Sequence, residues 1–143
     1  MFKRLVNEGI ALMGTAASPN TLTAAYNSTD RGQMSVADGE DVTLYIAYTM
    51  GSTETSNSLE MVIEFSADGS TWYRKTNEAE STGTTTLTKQ EYTFAAVSAA
   101  ATYDYIRVKV TDIADKYMRV LVKETGKASN FGTCFIIANL GKE

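Results

Sequence analysis

The chain has 143 residues, of which 43% are hydrophobic and 21% charged, and these shares are ordinary for one globular domain with a single core. Its formal net charge of −4 argues against a protein that grips phosphate backbones, so no nucleic-acid partner is expected. It contains no histidine and so lacks the most common general base and metal ligand. Its one cysteine, Cys134, cannot form an internal disulfide and lies in an apolar run, which predicts a buried, inert thiol.

The first 17 residues carry apolar side chains that allow two interpretations. Their spacing approximates a helical stripe, although Gly9 weakens it: Phe2, Leu5, Val6, Ile10 and Met13. An extended arm that pairs with another strand or another subunit is equally compatible with this pattern. We expect an arm over residues 1–17 that lies across a neighbouring subunit. The competing interpretation is that the arm completes the protein's own core.

The anchors of this arm are expected to be Phe2 and Leu5, with Lys3 and Arg4 at a polar rim. Lys3 and Arg4 ahead of apolar residues also resemble the start of a signal peptide. The polar pair at positions 7–8 interrupts the apolar run, so no cleaved leader is expected. No run approaches transmembrane length, so no membrane partner is expected.

The rest of the chain reads as a series of short strands. Period-two alternation or strand-forming composition marks residues 21–27, 42–50, 59–65, 87–97, 105–110, 117–123 and 131–140. Residues 77–86 are polar and rich in Ser, Thr and Gly, which predicts an exposed loop. Strands 105–110 and 117–123 are expected to be antiparallel neighbours. This pattern predicts a single all-β domain over residues 1–143, built as a two-sheet antiparallel β-sandwich.

The most informative stretch covers residues 58–75. Its apolar side chains alternate on one face and predict core positions: Leu59, Met61, Ile63 and Phe65. Glu60 and Glu64 fall on the opposite, solvated face. Asp68-Gly69 predicts a tight turn with positive φ angles, and Trp72 and Tyr73 begin the return strand. Trp72 is expected to anchor the core.

Carboxylates are the main candidates for site chemistry. Acidic residues gather in turns at Asp38, Glu40, Asp41, Asp112 and Asp115, but their spacing matches no calcium loop and predicts solvated turns. Glu60 and Glu64 share one strand face, and nothing places them across a cleft as glycoside hydrolysis requires. Serine and threonine have no recognisable activating base. We therefore expect no enzyme activity, no cofactor and no metal.

Two groups of surface residues could instead bind a partner. The aromatic side chains of Tyr45, Trp72, Tyr73, Tyr103 and Tyr105 could stack against sugars. Basic residues at alternate positions of the two expected neighbouring strands could form a stripe that docks an acidic partner: Arg107, Lys109, Arg119 and Lys123. The simpler interpretation of that stripe is a face kept soluble by charge.

The order of these motifs supports a family resemblance. The strand VTLYIAYTM is followed by LEMVIEFSADGSTWY, then by YIRVKV, and then by KYMRVLVKETGKASNFGTCFIIANL. This resembles the small jelly-roll or galactose-binding-like sandwiches of tailed-phage structural proteins. In those proteins a Ser-x-Asp-Gly-x-x-Trp hairpin, here Ser66 to Trp72, precedes a strand like that at Tyr117 to Val120. The resemblance covers roughly residues 41–140 and leaves the N-terminal arm out.

The resemblance implies a jelly-roll-like, non-enzymatic component of a phage virion, most specifically a capsid decoration or cement protein. The expected partners are other virion proteins, such as the major capsid protein or neck and tail proteins, and further copies in a homo-oligomer. The expected location is the virion, assembled in the host cytoplasm. The alternatives are a neck, tail or baseplate position and a carbohydrate-binding β-sandwich module.

Overall fold

The structure is a computed structural model that describes residues 9–28, 34–36, 41–95, 104–111 and 113–141. Two large antiparallel sheets pack against each other around one core, which confirms the predicted all-β sandwich. None of the described residues lies in a helix, and so none forms a helical membrane span. The strands, numbered along the chain, are β1 (Ile10–Met13), β2 (Asn20–Thr21), β3 (Asn27–Ser28), β4 (Met34–Ser35), β5 (Asp41–Thr49), β6 (Ser58–Ser66), β7 (Tyr73–Arg74), β8 (Thr76–Ser81), β9 (Thr84–Lys89), β10 (Tyr92–Ala95), β11 (Asp104–Val110), β12 (Tyr117–Thr125) and β13 (Thr133–Gly141).

The strands divide between two sheets that we call sheet I and sheet II. Sheet I has the order β1-β13-β5-β11, with β2 also paired to β13. Sheet II has the order β10-β6-β12-β3, with β4 paired to β12 and β7 paired to β6. Every strand pair is antiparallel. After β5 the chain passes to sheet II at β6, returns to sheet I at β11, crosses to sheet II at β12 and returns to sheet I at β13.

The core is built from the inward-facing residues of both sheets. Leu59, Met61 and Ile63 of β6 are fully buried, as their alternation predicted. Phe65 is only half-buried because it lies near the end of β6, beside the loop to β7. The Cys134 thiol is fully buried, as predicted, and its sulfur lies 3.5 Å from the Met13 sulfur.

The predicted hairpin over residues 58–75 is present, but its turn is longer than expected. Strand β7 pairs with the end of β6, and residues 67–72 connect them. Within the predicted Asp68-Gly69 turn, Gly69 has a positive φ of 79°. The Asp68 carboxylate accepts backbone hydrogen bonds from Thr71 and Ser70, each at 2.8 Å, and these bonds lower the pKa of Asp68. The connection is therefore a longer loop that the side chain of Asp68 stabilises, and not a two-residue turn.

Two predictions near the N-terminus need correction. Residues 10–13 of the expected intersubunit arm form β1, which pairs with the protein's own β13, and Leu12 and Met13 are buried in its own core. The predicted strand over residues 21–27 is instead two short strands, β2 and β3, that pair with different sheets. The chain crosses between the sheets at residues 22–23: the Leu22 N–H donates to the Gly132 carbonyl beside β13, and the Thr23 carbonyl accepts from the Glu124 N–H of β12.

Residues 76–89 form a hairpin and not the exposed loop predicted for residues 77–86. Strands β8 and β9 pair only with each other, and every residue of the hairpin is exposed. Threonine favours extended backbone, and Thr82 and Gly83 have the positive φ angles, 49° and 77°, that suit a two-residue hairpin turn. We call residues 76–89 the projecting hairpin.

A buried carboxylate ties two loops together at one end of the sandwich. Glu54 is 7% exposed, and its carboxylate accepts backbone hydrogen bonds from Ala128 at 2.7 Å, Asn130 at 2.8 Å and Ser129 at 2.6 Å. These three N–H groups favour the charged form and lower the pKa of Glu54 to about 2. The loop between β12 and β13 is therefore held by one side chain from the loop between β5 and β6.

We expect Glu54→Gln to change how stability depends on acidity. A carboxylate whose pKa is depressed on folding adds stability that is present above its unfolded pKa of about 4.5 and is lost as the pH falls towards 2. The melting temperature of the wild type should therefore fall through this range, whereas that of Glu54→Gln should be lower at pH 7 and change less with acid. Glu80→Gln on the projecting hairpin is the control and should follow the wild type. Parallel acid profiles for Glu54→Gln and the wild type would contradict this account.

Candidate docking groove

The outer face of sheet I carries apolar side chains where a solvated face would carry polar ones. In the register of β13, β5 and β11, Phe135 lies opposite Ala47, which lies opposite Tyr105. One row further along the sheet, Ile137 lies opposite Tyr45, and Tyr45 lies opposite Arg107. Because residues two apart on a strand share a face, these two rows form one continuous surface.

These side chains enclose a groove of about 360 Å³, which we call the outer groove. Ala47 is its floor: it points outward, yet only 1% of it is exposed, because larger side chains stand around it. Tyr45 and Tyr105 remain 40% and 77% exposed. The groove is lined by Tyr45, Ile46, Ala47, Tyr105, Ile106, Arg107, Phe135 and Ile137.

Arg107 is the one charged residue of this lining. It is exposed, and it forms no ion pair with any residue that the structure describes. Lys109, two residues along β11, differs from it because its ammonium lies 3.5 Å from the Asp41 carboxylate. The outer groove therefore presents apolar surface with one available positive charge.

One wall of the groove is fixed by a close approach of β1. A Cβ atom added to Gly9 would lie 2.5 Å from Cγ2 of Ile137. Any residue other than glycine at position 9 would therefore displace the Ile137 side chain. Gly9 directly precedes β1, and Ile137 lines the groove. Gly9 therefore lies at the rim of the outer groove. Phe2, Lys3, Arg4 and Leu5, the predicted arm residues, lie outside the described residues.

The outer face of sheet II is different, because its charges are paired with each other. The Arg119 guanidinium binds the Glu64 carboxylate at 2.7 and 2.8 Å, and the Lys123 ammonium lies 3.2 Å from the Glu60 carboxylate. Both pairs join directly opposite residues of β12 and β6. Glu60 and Glu64, the predicted solvated carboxylates, are therefore partners of basic residues.

The same cations cover aromatic rings. The Arg119 guanidinium lies 4.4 Å from the centre of the Trp72 ring, and the Lys123 ammonium lies 4.5 Å from that of Tyr26. Trp72 is half-buried on this outer face, so the prediction that it anchors the core is wrong. The loop after β6 instead places the Trp72 ring against Arg119, which is paired with Glu64.

The predicted basic stripe does not exist as one surface. Strands β11 and β12 were expected to be neighbours, but β11 pairs with β5 in sheet I and β12 pairs with β6 in sheet II. Arg107 and Lys109 consequently lie on the outer face of sheet I, and Arg119 and Lys123 lie on the outer face of sheet II. The short link between the strands crosses the sandwich and does not form a hairpin.

The predicted acidic turns lie partly outside the described residues, which include neither Asp38, Glu40 nor Asp112. Among the residues that are described, no three acidic, histidine or cysteine side chains gather as a metal site. Tyr103 also lies outside the described part, and Tyr73 is exposed beside the Arg74 and Glu64 contacts.

Comparison with known proteins gives no further guidance. No family model, curated protein or solved structure matches this chain.

The outer groove was only partly foreseeable from the sequence. Tyr45 and Tyr105 were candidates for binding, but Phe135 and Ile137 lie in the run CFIIA, where both faces of the strand are apolar. Such a run does not reveal which side chains face outward. A signal was present in β5, where Tyr45 and Ala47 occupy positions that would be polar on a solvated face.

Proposed function

We propose that this chain is a non-enzymatic structural protein that works by docking against other protein subunits. In its most specific form, the proposal is a capsid decoration or cement protein of a tailed phage, with a neck, tail or baseplate position as the close variant. The observation that carries it is the outer groove. The resemblance of residues 41–140 to phage structural sandwiches supplies the virion context.

The outer groove has the composition of a protein-binding surface. Aromatic residues and arginine are enriched at the centres of protein interfaces, and the groove combines two exposed tyrosines with Arg107. Exposed apolar patches on otherwise polar proteins mark interaction sites. By contrast, the outer face of sheet II is closed by its own ion pairs, which leaves sheet I as the face for a partner.

Such a protein would act by mass action. A subunit that binds only the assembled shell shifts the equilibrium towards that shell by RT ln(1 + [L]/Kd) per site. No bond has to be made or broken, so the chain needs no general base or nucleophile. This agrees with a sequence that lacks histidine and with carboxylates at Glu60 and Glu64 that are bound to basic side chains.

A carbohydrate-binding module is the second candidate, and one observation favours it. Tyr45 and Tyr105 are exposed on the same face, and flat rings can stack against sugars. A sugar site also needs several polar groups that fix the ring orientation, and this lining offers only Arg107 and the tyrosine hydroxyls. Trp72 cannot add its covered face, because Arg119 stacks on it. A glycan array with the purified protein tests this candidate directly.

The virion proposal is tested on particles. Antibodies against the purified protein should label phage particles released by the culture that carries its gene, with gold spread over the capsid. Particles from a deletion of the gene are the control; they should lack label and release their DNA at a lower temperature. Label confined to the neck or tail would select the close variant. Particles that carry neither label nor the protein by mass spectrometry would contradict the proposal.

A further inference from the structure

The projecting hairpin is the second surface feature that the protein's own fold does not use. All its residues are exposed, and neither of its faces rests on sheet I or sheet II. A two-stranded hairpin on its own is marginally stable in water, and it gains stability when one face is covered. At its base the Gln90 N–H bonds to the Lys75 carbonyl at 2.8 Å and joins the two arms, and the Lys75 N–H bonds to the Ile63 carbonyl of β6 at 3.1 Å.

One face of this hairpin carries a single apolar residue, two carboxylates and, at its base, the basic residue Lys89. Leu87 is 61% exposed and lies directly opposite Glu78. Glu80, two residues along the same strand as Glu78, shares that face. The other face carries only small or polar side chains: Asn77, Ala79, Ser81, Thr84, Thr86 and Thr88.

The outer groove and this face are complementary in their apolar parts and, at the two glutamates, in charge. The groove is apolar, is large enough for a leucine side chain, and has Arg107 at its edge without an ion-pair partner among the described residues. The hairpin offers a leucine flanked by two carboxylates. Docking would bury Leu87 against Tyr45 and Ala47 and bring Glu78 or Glu80 to Arg107, which supplies both affinity and orientation.

We infer that the occupant of the outer groove is the projecting hairpin of a second copy of this chain. The contact is head-to-tail, because the hairpin of one copy meets the groove of the next, so a pair keeps one free hairpin and one free groove. A contact of this kind generates rings where the rotation closes and filaments where it does not. The inference rests on the proposed function in identifying the outer groove as a protein-docking surface, and it names the partner.

The test uses two variants that each remove one half of the contact. Leu87→Ser removes the apolar anchor of the hairpin, and Tyr45→Glu places a carboxylate in the groove. Sedimentation velocity of the purified wild type should show association that grows with concentration. Each variant alone should associate at least about tenfold more weakly, because burial of a leucine side chain corresponds to roughly 10- to 100-fold in an association constant.

Mixing the two variants gives the decisive result. The intact hairpin of Tyr45→Glu can still enter the intact groove of Leu87→Ser, so the mixture should form a 1:1 dimer and nothing larger. Ala79→Ser on the other hairpin face and Tyr73→Glu outside the groove are matched controls and should associate like the wild type. Circular dichroism must show that all variants are folded.

Charge reversal provides an independent measurement. Arg107→Glu should weaken association, and combining it in one chain with Glu78→Arg and Glu80→Arg should restore it. A wild type that stays monomeric, or a variant mixture that stays monomeric while the wild type associates, would overturn the head-to-tail contact. If the wild type is monomeric but antibodies still label the capsid, this inference fails while the proposed function stands.

Discussion

Gly132→Ala should destabilise the protein by more than about 4 kcal/mol, at the exceptional end of the range for single substitutions. A Cβ atom at this position would lie 2.1 Å from the carbonyl oxygen of Thr49 and 3.1 Å from Cα of Met50. Both are backbone atoms at the end of β5, the central strand of sheet I. The clash cannot be relieved by turning a side chain, so β13 and β5 would have to separate.

Neighbouring contacts leave no room for that movement. The Gly132 N–H donates a 2.7 Å hydrogen bond to the buried Glu124 carboxylate, and its carbonyl accepts one from the Leu22 N–H at 2.9 Å. A shift of Gly132 away from Thr49 would therefore break contacts to β12 and to the segment after β2. The expected cost combines the steric clash with these lost bonds.

The control separates the close approach from backbone strain. Gly83 has a positive φ of 77° but no atom within 4 Å of an added Cβ. Gly83→Ala should therefore cost only about 1–2 kcal/mol, the usual penalty for an L-residue in left-handed backbone. Urea unfolding of both variants measures the difference. Equal costs would mean that the approach of Gly132 to β5 is looser than the structure has it.

The sequence predicted the strands of the sandwich better than it predicted their neighbours. The alternation in β5, β6 and β12 sets which side chains face the core, and burial follows it at Leu44, Ile63 and Val120. Pairing is decided by contacts between distant segments. The link between β11 and β12 is short, so the sequence predicted that these strands form a hairpin. In the structure, β11 joins sheet I and β12 joins sheet II, and each strand turns its apolar face towards the core between the sheets.

The candidate site illustrates the same limit. Arg107 was a candidate because of its charge, but its neighbours come from β5 and β13, some 60 residues before it and 30 after it. The strands of the projecting hairpin were not predicted from the sequence for a different reason. The hairpin lacks the apolar alternation that marks a half-buried strand, because neither of its faces is buried in this chain. Threonine content and the Thr82-Gly83 turn were the signals that could have revealed it.

The second large effect concerns the pair Tyr48 and Glu124, which joins the two sheets inside the core. The Tyr48 hydroxyl of sheet I donates a 2.5 Å hydrogen bond to Oε2 of Glu124 in sheet II, and both residues are at most 1% exposed. The other oxygen of Glu124 accepts the Gly132 N–H. The Tyr48 hydroxyl and the Gly132 N–H thus both depend on Glu124, and the loss of this acceptor would leave both donors buried.

Glu124→Leu should cost roughly 2–5 kcal/mol, because it leaves the Tyr48 hydroxyl and the Gly132 N–H buried without an acceptor. Tyr48→Phe should cost about 1.5–3 kcal/mol, the value of one hydrogen bond to a charged group. The double variant should cost less than the two single changes together, because removing both partners leaves no orphaned hydroxyl. Tyr45→Phe, on the outer face of the same strand, should change stability by less than about 0.5 kcal/mol. Additive costs in this cycle would show that the two side chains do not interact.

The Tyr48–Glu124 pair should also change how the stability of the protein depends on alkaline pH. Burial, together with the hydrogen bond to Glu124, raises the pKa of Tyr48 above its usual value of 10. A group whose pKa is raised on folding adds stability that is present below pH 10 and is lost as the pH rises, because the unfolded chain then releases the proton first. The stability difference between the wild type and Tyr48→Phe should therefore narrow above pH 10 in denaturant titrations. A difference that stays constant between pH 8 and pH 11 would show that the Tyr48 hydroxyl is not held in the protonated form by its buried site.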